Sequence, residues 1–152
     1  EIAHKWPNDV LVRGRKCAGI LLESSLSNDQ KLDWLVIGVG VNLASHPQGT
    51  EFPATDLVAE GAGDLTPEPM LEAFAERFLH WHEVWQKDGF PPVREAWLAR
   101  AHGLGAPLRV RIGDESFAAT FLDLAEDGAL LAELDDGRVR RVEAGEVFPV
   151  AA

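Results

Sequence analysis

Hydrophobic and polar positions divide the chain into three regimes. Between residues 10 and 43 the apolar residues come in short β-rich runs. Between 66 and 101 they recur at helical spacing. Between 108 and 142 they form short strands cut by Asp-Gly pairs. In the first regime, residues 10–12 and 16–23 flank Arg13-Gly14-Arg15, which predicts a hairpin. Residues 24–31 are polar and predict a loop or wide turn. Residues 32–43 are rich in Val and Ile and apolar at successive positions, as in a central strand covered on both faces. Residues 44–65, with Pro47, Gly49, Pro53, Gly61 and Gly63, read as loop, with a short helix beginning near Thr55-Asp56.

Thr66-Pro67-Glu68 opens a helix, with Thr66 as N-cap and Pro67 at the first helical position. Leu71, Phe74, Phe78, Trp81, His82 and Trp85 then recur at helical spacing to about Lys87, and this aromatic stripe is expected in the core. Asp88-Gly89-Phe90-Pro91-Pro92 stops the helix, and a second is expected over residues 93–101. His102-Gly103-Leu104-Gly105 breaks the pattern and marks a domain boundary. Beyond it, residues 108–112, 116–124, 129–134 and 138–142 are short strands separated by Gly113-Asp114, Asp127-Gly128 and Asp136-Gly137. Four or five short strands in so few residues predict a small β-barrel, SH3-like in build.

Composition changes this picture only by exclusion. At 152 residues the chain has room for one ordinary domain, or for a partial domain plus a small one. A formal net charge of -11 is a poor match to non-specific nucleic-acid binding. No apolar run approaches a membrane span, and no basic, apolar leader suggests export. The first residue is Glu1 rather than methionine, so an excised or incomplete sequence is expected. The single cysteine, Cys17, excludes an internal disulfide and reads as a small buried filler, having no His or acid beside it. His80 and His82, two apart on a helix, point to different faces, so no metal site is expected there.

The chemistry centres on His4-Lys5-Trp6-Pro7-Asn8-Asp9. Pro7 fixes its own backbone and pushes Trp6 towards extended geometry, and Asn8 and Asp9 favour a turn. A lysine held at the mouth of a strand suits chemistry on a phosphate or an activated carboxyl. The alternative is a solvated lysine before an ordinary turn. Gly38 and Gly40 interrupt a strand on one face, so either a ligand approaches the bare backbone or a helix or bulge packs tightly there. Arg13, Arg15 and Lys16 suggest a phosphate site, but a solvated hairpin tip is the expected reading.

Taken in order, that hexapeptide, the hairpin, Ala18-Gly19-Ile20-Leu21-Leu22-Glu23, Val36-Ile37-Gly38-Val39-Gly40-Val41-Asn42-Leu43 and Ala54-Thr55-Asp56-Leu57 resemble the second half of a biotin–protein ligase catalytic domain. Asp127-Gly128-Ala129-Leu130-Leu131 and Ala144-Gly145-Glu146-Val147 resemble that family's small C-terminal domain. The resemblance spans nearly the whole chain. It implies an α+β fold, with a partial mixed sheet and packed helices of the class II synthetase-like kind, followed by the SH3-like barrel. The implied division is residues 1–102 and 103–152.

The resemblance also implies an ATP-dependent ligase in the cytoplasm. It would convert biotin to biotinyl-5′-AMP and pass the acyl group to a lysine of a biotin carboxyl carrier protein domain. Lys5 would be the catalytic cation, and Asn8, Gly19, Gly38, Gly40 and Asn42 would line the biotin or adenylate pocket. Asp9 would orient Lys5. Asn42 would read an adenine edge or simply end the strand, and Phe52 would cover the adenine or pack on the domain. Biotin, ATP and Mg2+ are the implied ligands, with no metal held by the protein itself and no nucleic-acid or membrane partner. The family's glycine- and arginine-rich loop lies upstream of the lysine motif and is not in this sequence, so a ligase fragment is expected. Two other readings remain. One is a non-catalytic biotin- or adenylate-binding or regulatory module. The other is a lipoate or octanoate transferase, against which the Lys-Trp-Pro-Asn-Asp stretch and the C-terminal barrel speak.

Overall fold

Two antiparallel sheets and a helical pair make up the structure, a computed structural model that describes residues 1–29 and 31–150. Gln30 of the expected 24–31 turn, and Ala151 and Ala152 of the expected C-terminal domain, lie outside the described residues. The first sheet holds β1 (Ile2–Lys5), β2 (Asp9–Val12), β3 (Arg15–Leu26) and β4 (Leu32–Val41) in that order. Every strand pair is antiparallel, and parallel character enters only at the isolated bridges His4↔Ala101 and Lys16↔Ala54. The β2–β3 hairpin forms as expected. Its turn residues Arg13 and Gly14 both have positive φ, 49° and 75°, which matches the twist of the flanking strands.

Several expectations give way here. Ser24, Ser25 and Leu26 extend β3 instead of looping, because each finds a partner on β4. The strand expected at the centre of a covered sheet, β4, is an edge strand exposed along nearly its whole length. The helix α1 (Pro67–Asp88) runs where its spacing predicts, but it has no buried residue. Phe78, Trp81 and Trp85 are exposed, because among the described residues α1 packs mainly against α2 (Pro91–Leu98), and its first turns share a hollow with Ile37, Val39 and Val41 of β4. Thr66 takes the N-cap position in extended conformation without a side-chain capping bond.

The second sheet has the order β8 (Val139–Val142), β7 (Leu130–Glu133), β6 (Glu115–Leu124), β5 (Pro107–Ile112), β9 (Glu146–Pro149). The Asp-Gly pairs fall at its turns, with Gly128 at φ 89°. It is not the expected SH3-like barrel. Its two outer strands, β8 and β9, share no ladder, so the sheet stays open. Closure needs the outer strands to meet with a fixed stagger, and each is paired on one side, β8 with β7 and β9 with β5.

The main cluster of buried apolar residues belongs to this second sheet, with Leu11 and Cys17 buried separately in the first. Val110, Phe121, Leu130 and Val142 are almost wholly enclosed. One member comes from the far end of the chain: Trp6, 4% exposed, sits in the same cluster. Its indole Nε1 donates to the carbonyl of Gly128 at 3.2 Å. The adjacent backbone is stitched too, since His4 N donates to Arg100 O and His102 N to His4 O, both at 2.7 Å.

Residues 42–65 are held down by a buried polar network. Asp56 caps its own turn by accepting from Ala59 N at 2.7 Å, and it pairs with His46 Nδ1 at 2.6 Å. These contacts, the Ala59 bond first and His46 second, hold the Asp56 carboxyl below its ordinary pKa. Glu60, also buried, accepts from Thr55 at 2.8 Å and pairs with Arg15 at 2.5 Å and Arg13 at 3.3 Å.

Replacing Trp6 with Ala should lower unfolding stability by about 3–5 kcal/mol, the usual cost of emptying a large core site. Trp6→Phe keeps most of the packing and should cost only about 1 kcal/mol beyond the lost volume, by stranding the Gly128 carbonyl. Urea unfolding measures both. Asp56 makes a second, pH-dependent contribution. Because its folded-state pKa is depressed, its stabilisation is full above the unfolded carboxyl value, about 3.9, and is lost as pH falls through the lower folded value. Asp56→Asn should therefore melt lower than wild type at pH 6 and lose less on acidification below about pH 4, as followed by thermal melts across that range.

Candidate active site

A single transverse row crosses the first sheet. Lys5 pairs with Asp9, Asp9 with Gly19, and Gly19 with Gly40. Residues directly opposite in antiparallel strands project to one face, so the row presents an ammonium, a carboxylate and then two stretches of bare backbone. At about 4.8 Å per strand it spans roughly 14 Å. A cavity of about 490 Å³ lies over it, and Lys5, Asp9, Lys16, Gly19, Gly40 and Asn42 all reach its wall.

Lys5 is 5% exposed. Its ammonium meets Asp9 Oδ2 at 3.0 Å and lies 4.9 Å from the ring centre of Phe52 and 5.9 Å from that of Phe148. The solvated alternative for Lys5 is thereby excluded. A buried ion pair is costly to desolvate and costlier to break, so the ammonium is held in place. Asp9 Oδ1 faces the second lysine, Lys16, at 2.5 Å. That contact is an ion pair off the hydrogen-bond direction, which leaves the buried Oδ1 without an aligned donor.

The remaining expected site residues divide. Asn8 anchors the turn after Lys5, since its Nδ2 donates to Ile20 O at 2.5 Å and its carbonyl accepts from Ile20 N at 3.0 Å. Asn8 and Gly38 do not reach the main cavity. Both line an adjoining hollow of about 440 Å³ that also touches Lys16, Gly19 and Gly40. Tight packing does not explain the paired glycines, because a side chain begun at Gly38 or Gly40 would meet nothing closer than 3.5 Å. Asn42 lines the cavity, but its Nδ2 is engaged, donating to Thr55 O at 2.9 Å, which ties β4 to the 42–65 segment. Cys17 is buried as expected, and burial, then Asp56 and Glu60, push its thiol pKa up.

Three contributors are not legible as site residues, and a fourth, Lys16, reads in sequence as a phosphate contact or, by preference, part of a solvated hairpin tip. Lys16 parts company with Arg13 and Arg15: they pair with Glu60, while Lys16 turns to Asp9. A register shift opposite Val10 and Leu11 pairs Lys16 with Leu11 and so returns it to the face of Asp9 and Gly19, which strict alternation along β3 does not signal. Phe148 and Glu146 arrive from β9 of the other sheet. Glu51 brings the loop to them through Arg111, whose guanidinium meets Glu51 Oε2 at 3.1 Å and Glu146 Oε2 at 2.7 Å. These carboxylates, Glu146 foremost, raise the Arg111 pKa further. Among the described residues no group of three or more His, Cys, Asp or Glu side chains is placed to hold a metal ion.

Comparison with known proteins gives this arrangement a family. The chain is 39% identical over 152 residues to the biotin--[acetyl-CoA-carboxylase] ligase of Paracoccus denitrificans, covering 97% of this chain and 62% of that protein. A biotin protein ligase from Aquifex aeolicus, solved in complex with biotin and ATP, shares the fold with a TM-score of 0.78 at 23% identity, covering 99% of this chain and 62% of that one. A biotin protein ligase-like protein of unknown function from Silicibacter sp. matches with a TM-score of 0.76 at 27% identity, covering 93% of this chain and 60% of that one. The chain thus spans less than two thirds of the length of the curated relatives it matches. Residues 103–148 match the biotin protein ligase C terminal domain. On the match of residues 1–99, the chain belongs to the biotin/lipoate A/B protein ligase family.

Proposed function

We propose that this chain carries the lysine centre of an ATP-dependent biotin–protein ligase, with residues 1–102 as the catalytic unit and 103–152 as a supporting one. The observation that carries the reading is the buried Lys5 ammonium at the head of the Lys5–Asp9–Gly19–Gly40 row, inside a cavity of about 490 Å³. The match of residues 103–148 to a biotin protein ligase domain favours biotin over lipoate as the acid.

In the proposed reaction the biotin carboxylate attacks the α-phosphate of ATP, forming biotinyl-5′-adenylate and releasing pyrophosphate. The amine of a carrier-domain lysine then attacks the mixed anhydride, and AMP leaves. The first step forces two anions together. One fixed cation about 4 Å from such a charge is worth roughly 4 kcal/mol at an effective dielectric near 20, which offsets a repulsion of the same order. Lys5 is that cation. Asp9 orients it, the turn anchored by Asn8 fixes its backbone, and Gly19 and Gly40 admit the ligand against bare backbone. Phe52 and Phe148 flank the ammonium and exclude water around it. Magnesium would arrive with the nucleotide, since the described residues build no cluster for it.

In the intact protein, Lys5→Ala should slow biotin-dependent ATP–pyrophosphate exchange by about 100- to 1,000-fold, the usual loss for one transition-state contact. The variant should melt lower than wild type, because Asp9 keeps only the off-direction contact to Lys16, so exchange is read at a temperature where circular dichroism shows the variant folded. Near-normal exchange in the variant removes Lys5 from this role. Biotin binding by wild type with no exchange at all would instead identify a non-catalytic binding module.

A further inference from the structure

One wall of the main cavity is a strap, the segment between β4 and Thr55, from which Pro47, Thr50, Glu51, Phe52 and Ala54 reach the lining. Its ends are fixed through backbone. Asn42 N donates to Cys17 O at 2.8 Å, Lys16 N to Pro53 O at 2.8 Å and Thr55 N to Lys16 O at 2.9 Å. Between those anchors residues 44, 45 and 47–51 are exposed, and His46 alone is half-buried. The strap brings Phe52, a flat apolar ring of the kind on which a purine stacks. The adjoining hollow, lined by Ile20, Leu21 and Val39, has no strap residue on its wall.

Among the described residues, two side chains of the strap pair with charged groups beyond it, and the two tethers differ in kind. At the outer end Glu51 meets Arg111 at 3.1 Å with both side chains exposed, so salt screens the contact. At the inner end His46 Nδ1 lies 2.6 Å from Asp56 Oδ2, whose side chain is 8% exposed. The Asp56 carboxyl is held below its ordinary pKa, by the Ala59 N–H first and His46 second. It is therefore a carboxylate that only accepts, and Nδ1 carries the hydrogen and donates. A hydrogen bond to a buried charge is stronger than an exposed ion pair. Asp56 is itself pinned, since its Oδ1 accepts from Ala59 N at 2.7 Å. The outer tether can give way to a ligand while the inner one holds.

We infer that His46 is a positioning residue for the nucleotide: its bond to Asp56 fixes the inner half of the strap as a preformed cavity wall, so that only the Phe52 end moves when ATP enters. This rests on the ligase reading of the same cavity and adds the residue that sets one of its walls. His46 does not reach the lining. It acts through Pro47, the next residue, which does reach it and whose ring fixes its own backbone. A His46 that served stability alone, by keeping a buried carboxylate partnered, would change the folded fraction and with it the apparent kcat. It would leave the KM for ATP where it was.

The test is biotin-dependent ATP–pyrophosphate exchange by the intact protein, with each substrate varied in turn. Wild type, His46→Ala and His46→Asn are compared at a temperature where circular dichroism shows all three folded. His46→Ala should raise the KM for ATP roughly tenfold and move the KM for biotin by less than about twofold. His46→Asn sets an amide N–H where Nδ1–H was, and should bring the KM for ATP back to within about threefold of wild type. An unchanged KM for ATP in His46→Ala, with or without a lower kcat, overturns the inference. So does an equal rise for both substrates, or a failure of His46→Asn to rescue. If His46→Ala does not fold, His46→Leu is read by the same criteria. Wild type that shows no exchange sinks the ligase reading itself, whereas active wild type beside a His46→Ala of normal KM for ATP sinks only the role given to His46.

Discussion

The structure depends on one indole being planted in a core to which its own sheet contributes nothing else. Trp6 follows the last residue of β1, but it packs among Leu108, Phe121, Leu130 and the other core residues of the second sheet. Its neighbour Lys5 points the other way, into the cavity. Lys5 ends β1 and Trp6 opens the turn that follows, so the step between them converts a packing contact into a positioning one. The burial of a side chain as large as Trp, worth several kcal/mol, then resists any displacement of the ammonium beside it. The hydrogen bond to Gly128 adds direction to that hold.

Around this anchor the site is assembled by charge pairing across elements. Asp9 gathers Lys5 and Lys16 from β1 and β3, and Arg111 gathers Glu51 and Glu146 from the loop and β9. The two clusters differ in kind. The first is centred on a buried carboxylate, so the Lys5–Asp9 pair is expensive to separate, while the 42% exposed Lys16 side chain is held less tightly. The second is exposed, where ion pairs are worth a fraction of a kcal/mol to about 1 kcal/mol and are screened by salt. The row beneath the ligand is therefore stiff, while the loop bearing Phe52 is held by contacts that are cheap to break and remake. On the proposed reading, a site that admits a nucleotide and then excludes water needs that contrast.

Local signals made much of the fold legible; the capping bond expected at Thr66 and the short helix expected near Thr55-Asp56 are local failures, but the larger ones were long-range. The hairpin at Arg13-Gly14, the helix begun by Pro67 and the Asp-Gly turns follow from a few adjacent residues each. The burial of β4 and α1 did not follow, because apolar pattern reports only what a face prefers. Val36, Ile37 and Val39 favour burial, yet β4 is an edge strand and they stay exposed. The barrel failed for a related reason: strand count and turn spacing say nothing about whether the outer strands meet. For the site, Lys5, Gly19, Gly40 and Asn42 do converge on one cavity, and Gly38 and Asn8 fall just outside it. Phe148 and Glu51 were out of reach, since nothing local in the chain tells that β9 and a distant loop meet beside Lys5.

The placement of Asp9 explains how one short motif can serve both stability and chemistry. A carboxylate nearly removed from water would be a liability alone. Two lysines neutralise it and leave a net positive charge, so the cluster satisfies the folded state and still attracts an anion. Removing Lys5 and removing Lys16 are then not equivalent changes. Without Lys5, Asp9 retains a partner that is off the hydrogen-bond direction and half in solvent. Without Lys16, it retains the aligned bond to Lys5. The lysine whose loss costs the folded state more is the one whose position Trp6 sets.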